Sequence, residues 1–182
     1  FKNLAYPRVK DWMISGSVNF YKGKVNFNNV RISNNDAEDA INIISADFTL
    51  NNVYFKNIKS DALDVDFGNG KVINSTYANI GNDAIDISGT NLFIKNILAS
   101  KIGDKAISAG EKSNITGEIL TVSGAEIGVT SKDGSTVVLK NIKIENTKLG
   151  LTAFQKKSEY TSASINVDNI IFNKVVREHA IE

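Results

Sequence analysis

Residues 60–70 of the chain read SDALDVDFGNG and place Asp61, Asp64 and Asp66 within six positions. The stretch GNDAIDISG then adds Asp83 and Asp86, and GDKAISAGEKS adds Lys105, Glu111 and Lys112. SKDGS and FQKKSEY follow with Lys132, Lys156 and Tyr160. Such a series offers three kinds of chemistry. A hard cation such as Ca²⁺ takes several carboxylate and carbonyl oxygens, and Asp64, Asp66 and Asp86, with the amide of Asn69 or Asn82, are its candidate ligands. Two carboxylates can also hydrolyse a glycosidic bond, one as acid and one as base or nucleophile. Elimination at a uronic acid instead needs a base for the C5 proton and a group that neutralises the sugar carboxylate. Lys105, Lys132 and Lys156 are candidates for that work, with Asp86 beside them. Asp61, Asp83, Glu111, Lys112, Lys156 and Tyr160 are the candidate substrate contacts.

Plainer readings stand beside these. Asp61 and Asp83 suit Asx turns where the chain bends. Glu111 and Asp133 suit pairing with neighbouring lysines on a solvated edge, and Lys156 and Lys157 suit an exposed loop. His179, the one histidine, falls near the end of the pattern and has no assigned role. Trp12, Tyr21, Tyr54, Tyr77 and Tyr160 could stack on sugar rings, although Tyr54 and Tyr77 fall in strand positions.

The elements that must position these groups are set by a repeat. EDAINII, SDALDVD, NDAIDIS, DKAISAG, EIGVTSK and KLGLTAF recur about every 22 residues, and EHAIE repeats the pattern after a longer excursion. One position is always small (Ala40, Ala62, Ala84, Ala106, Gly128, Gly150, Ala180) and the next always aliphatic. Two further columns precede it: Asn29, Asn52, Asn74, Asn96, Glu118, Asn141, Asn169, and Asn34, Asn57, Asn79, Lys101, Ser123, Asn146, Lys174. Short alternating runs such as VYFK and IKIE lie between them, which predicts strands. Gly-Asn, Ser-Gly and Asn-Asn pairs predict tight turns.

A period near 22, short strands and no helical pattern predict an all-β parallel β-solenoid of about seven coils, roughly 34 Å long at the strand spacing, flanked by asparagine ladders. Leucine-rich repeats are set aside, because their spaced leucines and helical segments are missing. If the aliphatic column points inward, Asn42, Asp64, Asp86, Ser108, Thr130 and Thr152 point outward. Asp64 and Asp86 then stack about 4.8 Å apart. Two like charges at that distance repel by roughly 3 kcal/mol at an effective dielectric of 20. A cation, a shared proton or a lysine must relieve them.

Composition narrows the partners. Lys+Arg is 21 against 20 for Asp+Glu, a formal net charge of +1. That balance gives no basic field for nucleic acid or an anionic membrane. The absence of cysteine excludes disulfides, thiol catalysis and cysteine-ligated zinc. No apolar run reaches a membrane span, and FKNLAYPRVKDWM has no apolar core of a signal peptide. Residues 1–13 are expected to cap or link a β-helix domain over 14–182, with a loop excursion at 154–164. The abrupt ends suggest a processed chain or a domain cut from a larger one, and an uncovered last coil predicts a further domain or an end-to-end contact.

As architecture the chain, from about Ile14 to Ile181, resembles the right-handed parallel β-helix superfamily of pectate lyases, polygalacturonases, alginate lyases and mannuronan epimerases. The run EDAINII to FQKKSEY also resembles β-helix segments of bacterial surface proteins with spore-coat-kinase-like modules. The resemblance implies right-handed winding, an extracellular or bacterial cell-surface location and an acidic polysaccharide as partner. It also implies a Ca²⁺-assisted lyase or epimerase, or else a non-catalytic glycan-binding or spacer module. GNDAID is similar to the aspartate-rich coil of polygalacturonases, but that family's paired neighbouring aspartates and its Gly-His-Gly are absent, which weakens a hydrolase.

Overall fold

The computed structural model describes the backbone of residues 8–9 and 12–181 and the side chains of 14–181. The expected cap over 1–13, Trp12 included, lies outside the described side chains. β1 (Arg8–Val9) and β2 (Trp12–Met13) form an antiparallel pair. β3 (Gly16–Asn35) and β4 (Asp39–Ile58) each run through a whole coil. Later coils divide in two. β5 (Asp61–Asp66), β7 (Ile85–Ser88), β9 (Lys105–Gly110), β11 (Ile127–Lys132), β13 (Leu149–Phe154) and β15 (Arg177–Ile181) stack on one face. β6 (Asn69–Ile80), β8 (Asn91–Ile102), β10 (Asn114–Ser123), β12 (Thr136–Glu145) and β14 (Ser164–Asn173) wrap the rest. Every pairing within this 13-stranded sheet is parallel.

The fold is therefore an all-β parallel solenoid of about six 22-residue turns, slightly fewer than the seven expected. The reason lies in the last copy of the pattern: EHAIE supplies the single strand β15 and closes no further coil.

Alternation makes the core. Ile41 and Ile43, Leu63 and Val65, Ile85 and Ile87, then Ile107 and Ala109 all point inward with no exposed surface. Each fully buried Ile or Leu contributes about 1.5–3 kcal/mol. Phe55 and Tyr77, on successive coils, stack at 4.9 Å between ring centroids with planes 7° apart. The small column is small because the neighbouring coil crowds it. A Cβ on Gly128 would stand 2.5 Å from the Gly150 carbonyl oxygen and 2.8 Å from the Ile144 side chain.

The corners use the left-handed region, which asparagine tolerates better than most residues. Asn29, Asn52, Asn74, Asn96, Asn141 and Asn169 turn one corner, and Asn34, Asn57, Asn79 and Asn146 the next, all with φ between 52° and 66°. Their amides also bond rung to rung. Asn57 Nδ2 donates to Asn34 Oδ1 and Asn79 Nδ2 to Asn57 Oδ1, each at 3.0 Å; Asn96 donates to Asn74 at 2.9 Å. The asparagine ladders are thus present, with two corrections. Ile119 (φ 60°), not Glu118, and Gly124 (φ 77°), not Ser123, hold the corners of their coil. The register leaves no choice, since Glu118 pairs with Lys140 and Ser123 with Glu145.

Candidate functional site

Three outward columns lie side by side on the β5–β15 face. Asp39, Asp61, Asp83 and Lys105 stand where the chain enters each strand. Asn42, Asp64, Asp86, Ser108, Thr130 and Thr152 follow along the middle, and Ile44, Asp66, Ser88, Gly110, Lys132 and Phe154 form the third. Asp64 and Asp86 are register partners on adjacent rungs, as the repeat predicts.

The middle column is far less exposed than alternation suggests. Asn42 is 3 % exposed, Ser108 and Thr130 are 0 %, and Thr152 is 7 %. Alternation sets the direction of a side chain but not what lies over it, and over Ser108 and beside Asp86 lies a lysine of the flanking column. Lys132 reaches back across its rung, its Nζ donating to Ser108 Oγ at 3.1 Å and lying 3.8 Å from Asp86 Oδ1.

The entry column works as a chain of caps. Asp61 Oδ1 accepts from the backbone N–H of Asp83 at 2.7 Å and from Asn82 Nδ2 at 2.8 Å. Asp83 Oδ1 accepts from the backbone N–H of Lys105 at 2.9 Å, with Lys105 Nζ at 3.4 Å. Each carboxylate therefore pins the start of the coil above, so Asp61 and Asp83 bond across coils. Asp39, one coil earlier in the same column, accepts from the Ser15 hydroxyl. It was missed as a site residue, although its place 22 positions before Asp61 marks it.

Burial and mutual repulsion push these carboxyls upward. Asp64 is raised to about 8, first by burial and then by Asp39, Asp66, Asp86 and Asp61. Asp39 is raised to about 7 by burial, which outweighs the Ser15 hydrogen bond. Asp83 also reaches about 7, because burial outweighs the attraction of Lys105. Asp61 and Asp66 move the same way, again through burial first. Burial disfavours the charge on Lys105, yet Asp104 and Asp83 overcome it and raise the ammonium above its usual value. Near neutral pH the stack therefore holds protons, the second of the three ways to relieve like charges, and lysines supply the third.

Calcium fits these residues poorly. Among the described residues no three Asp, Glu or His side chains converge as a metal-holding group. One oxygen of Asp64 already accepts from Asn42 Nδ2 at 2.8 Å, and the Lys132 ammonium stands beside Asp86.

The remaining candidates gather elsewhere, at the corner where the segment between β13 and β14 folds back. Asp133 Oδ1 accepts the backbone N–H groups of Lys156 and Lys157, each at 2.7 Å. Gln155 Nε2 donates to the Tyr160 carbonyl at 2.7 Å. These bonds hold the Lys157 ammonium against Glu111 and bring the Tyr160 ring to 5.7 Å from Lys112 Nζ. Lys112 and Lys156 are exposed, and none of the ion pairs among the described residues involves either. Tyr77, by contrast, is wholly buried, Tyr54 lies under the Arg31 guanidinium, and His179 is exposed.

Two groupings result: a carboxylate stack with Lys105 and Lys132 against it, and an open edge where Lys112 lies by the Tyr160 ring and Lys156 stands exposed on the segment that carries Tyr160. Compared with known proteins, the chain matches no family model, no curated protein and no solved structure.

Proposed function

We propose that the chain is a non-catalytic, stiff segment of an extracellular or cell-surface protein, and that it binds an acidic polysaccharide along its Lys112–Lys156–Tyr160 edge. The observation that carries this reading is the pairing pattern. Most cations near the candidate site are spent on internal carboxylates, Lys105 on Asp83 and Asp104, Lys132 on Asp86 and Lys157 on Glu111. Lys112, beside the Tyr160 ring, and Lys156, exposed on the same returning segment, are in no ion pair among the described residues. A uronate unit suits that trio: its carboxylate meets the two ammonium groups and its C–H face rests on Tyr160. The resemblance to pectate-lyase-like β-helices favours a saccharide over other anions. Isothermal titration with polygalacturonate and alginate oligomers tests the reading. Lys112→Ala and Tyr160→Ala should each weaken binding several-fold without altering the unfolding midpoint. Failure of the native chain to bind either polymer, or full binding in both variants, removes it.

A second reading, a lyase or epimerase acting on the same class of polymer, rests on one observation. Asp83 holds a proton near neutrality with the Lys105 ammonium 3.4 Å from its carboxylate, and the Lys132 ammonium stands 3.8 Å from Asp86, an arrangement suited to proton transfer. It predicts an unsaturated, ultraviolet-absorbing product or an epimerised sugar, lost in Lys132→Ala. Unchanged polymer after prolonged incubation at pH 6 to 9 rules it out.

A further inference from the structure

A third corner, where the chain leaves the β5–β15 face, is turned without asparagine. Coil by coil it is formed by Ser45, Phe67, Gly89, Glu111 and Asp133, with φ between 52° and 58°. Phe67 is the misfit. An aromatic residue is strained in that left-handed backbone, and Phe67 is 62 % exposed, so little burial is gained in return. Its ring lies over Gly89, where a Cβ would stand 2.6 Å from Phe67 Cδ1. Strain and exposure that the fold itself does not need point to a use.

The space beside the ring is polar. A cavity of about 510 Å³ there is lined by Ser45, Asp47, Asn69 and Asn91 and by glycine backbone, a volume in the range of small-ligand sites. Asp47, Asn69 and Asn91 are register partners on successive rungs, all exposed. They set hydrogen-bond acceptors and donors in a row. Among the described residues no lysine or arginine lines this cavity, and Asp66 stands next to Phe67. The local charge is therefore negative. A uronate would be repelled here, whereas an uncharged sugar can give its hydroxyls to Asp47 and the amides and lay its C–H face on the ring. Two rungs on, about 9–10 Å along the solenoid, the same corner is basic. Gly89 alone separates Ser88 from Thr90, but Glu111 and Lys112 both separate their counterparts Gly110 and Ser113. That longer turn brings Lys112 to the Tyr160 ring.

We infer that the glycan runs along this corner, parallel to the solenoid axis, with a uronate at Lys112 and Tyr160 and an uncharged sugar on Phe67. The polymer is then an acidic heteropolysaccharide, in which uncharged units are interspersed with uronates. This rests on the glycan reading above and adds to it the direction of the bound chain and the composition of the polymer. A homopolymer of uronates reaches only the Lys112 end, so it binds without help from Phe67.

Isothermal titration with three polymers, cut to equal oligomer length, tests the inference. They are polygalacturonate, hyaluronan, in which an uncharged sugar alternates with the uronate, and gellan, in which uncharged sugars separate the uronates. The native chain should bind at least one of the mixed polymers about tenfold more tightly than the galacturonate oligomer. Phe67→Asn suits the left-handed corner, so it should keep the unfolding midpoint at or above the native value. It should erase the preference and leave galacturonate binding unchanged. Asp47→Ala, a change on the exposed surface, should weaken the mixed polymers alone, whereas Lys112→Ala should weaken all three. A native chain that binds galacturonate as tightly as both mixed polymers overturns the inference and leaves the glycan reading standing. So does a preference that survives in both Phe67→Asn and Asp47→Ala. A native chain that binds none of the three overturns both.

Discussion

The asparagine corners and the aspartate face stack identical side chains at the same rung spacing, with opposite results. At the corner, an amide carries both a donor and an acceptor, so each rung gains a bond to the next: Asn34, Asn57 and Asn79 form a continuous chain. On the face, an ionised carboxylate has acceptors only. Asp39, Asp61, Asp64, Asp66, Asp83 and Asp86 must therefore borrow donors, from Ser15, Asn42, Asn82 and backbone N–H groups, or keep protons of their own. In-register stacking rewards self-complementary groups and penalises like ones. The corner backbone is left-handed and the face extended, but the rung spacing is shared, so the side chain decides whether stacking gains a bond or a repulsion.

The contrast is sharpest in its pH dependence. Carboxyls whose folded values are raised bind protons in the native state that the unfolded chain has already released, so stability is greatest at or below about pH 4. It should fall as pH rises through the window from about 4 to 8, where Asp39, Asp83 and Asp64 lose theirs. The expected loss is at least about 3 kcal/mol, read from urea unfolding at a series of pH values. Asp64→Asn should flatten much of this slope and leave stability at pH 4 nearly unchanged, because an amide at 64 extends the Asn42 contact as a ladder. A profile that is flat in the native chain, or equally steep in the variant, would break the comparison on the aspartate side.

A somewhat smaller effect tests the other side. Asn57→Val removes two ladder bonds and forces a β-branched residue to hold φ near 55°. It should cost about 2–3 kcal/mol at any pH, and a change confined to the noise of denaturant unfolding would refute the proposed role of the corner. The smallest expected change has the opposite sign. Ile119 already holds that unfavourable conformation, at the one position where its ladder lacks asparagine. Ile119→Asn should stabilise the chain by about 1 kcal/mol and raise the unfolding midpoint; a destabilised variant would mean that the half-exposed isoleucine has contacts worth more than its strain.

The solenoid was legible in the sequence because its period appears several times over, and each copy corrects misreadings of the others. The stacking of Asp64 on Asp86 followed directly from that period. The slip at Glu118 and Ser123 has a local cause: the corners step 23 residues from Asn96 to Ile119 and from Lys101 to Gly124, and no asparagine marks either, so a count of 22 stops one residue short. The closed state of Ser108 was not legible, since it depends on where the flexible stem of Lys132 comes to rest. Nor could sequence pair Lys112 with Tyr160, a contact made by a loop that leaves the repeat.

The coil-to-coil register also has a kinetic side. Nearly every tertiary contact joins residues about 22 positions apart in a chain of 182, a ratio of roughly 0.12, typical of helical bundles and mixed domains and well below that of sandwiches. Each coil closes one loop of modest length upon a template already formed, so folding can begin on any adjacent pair of coils and spread in both directions. The coils from Asn91 to Glu145, with an unbroken aliphatic core and few stacked carboxylates, are the natural starting point, and the aspartate-bearing turns join last and leave first.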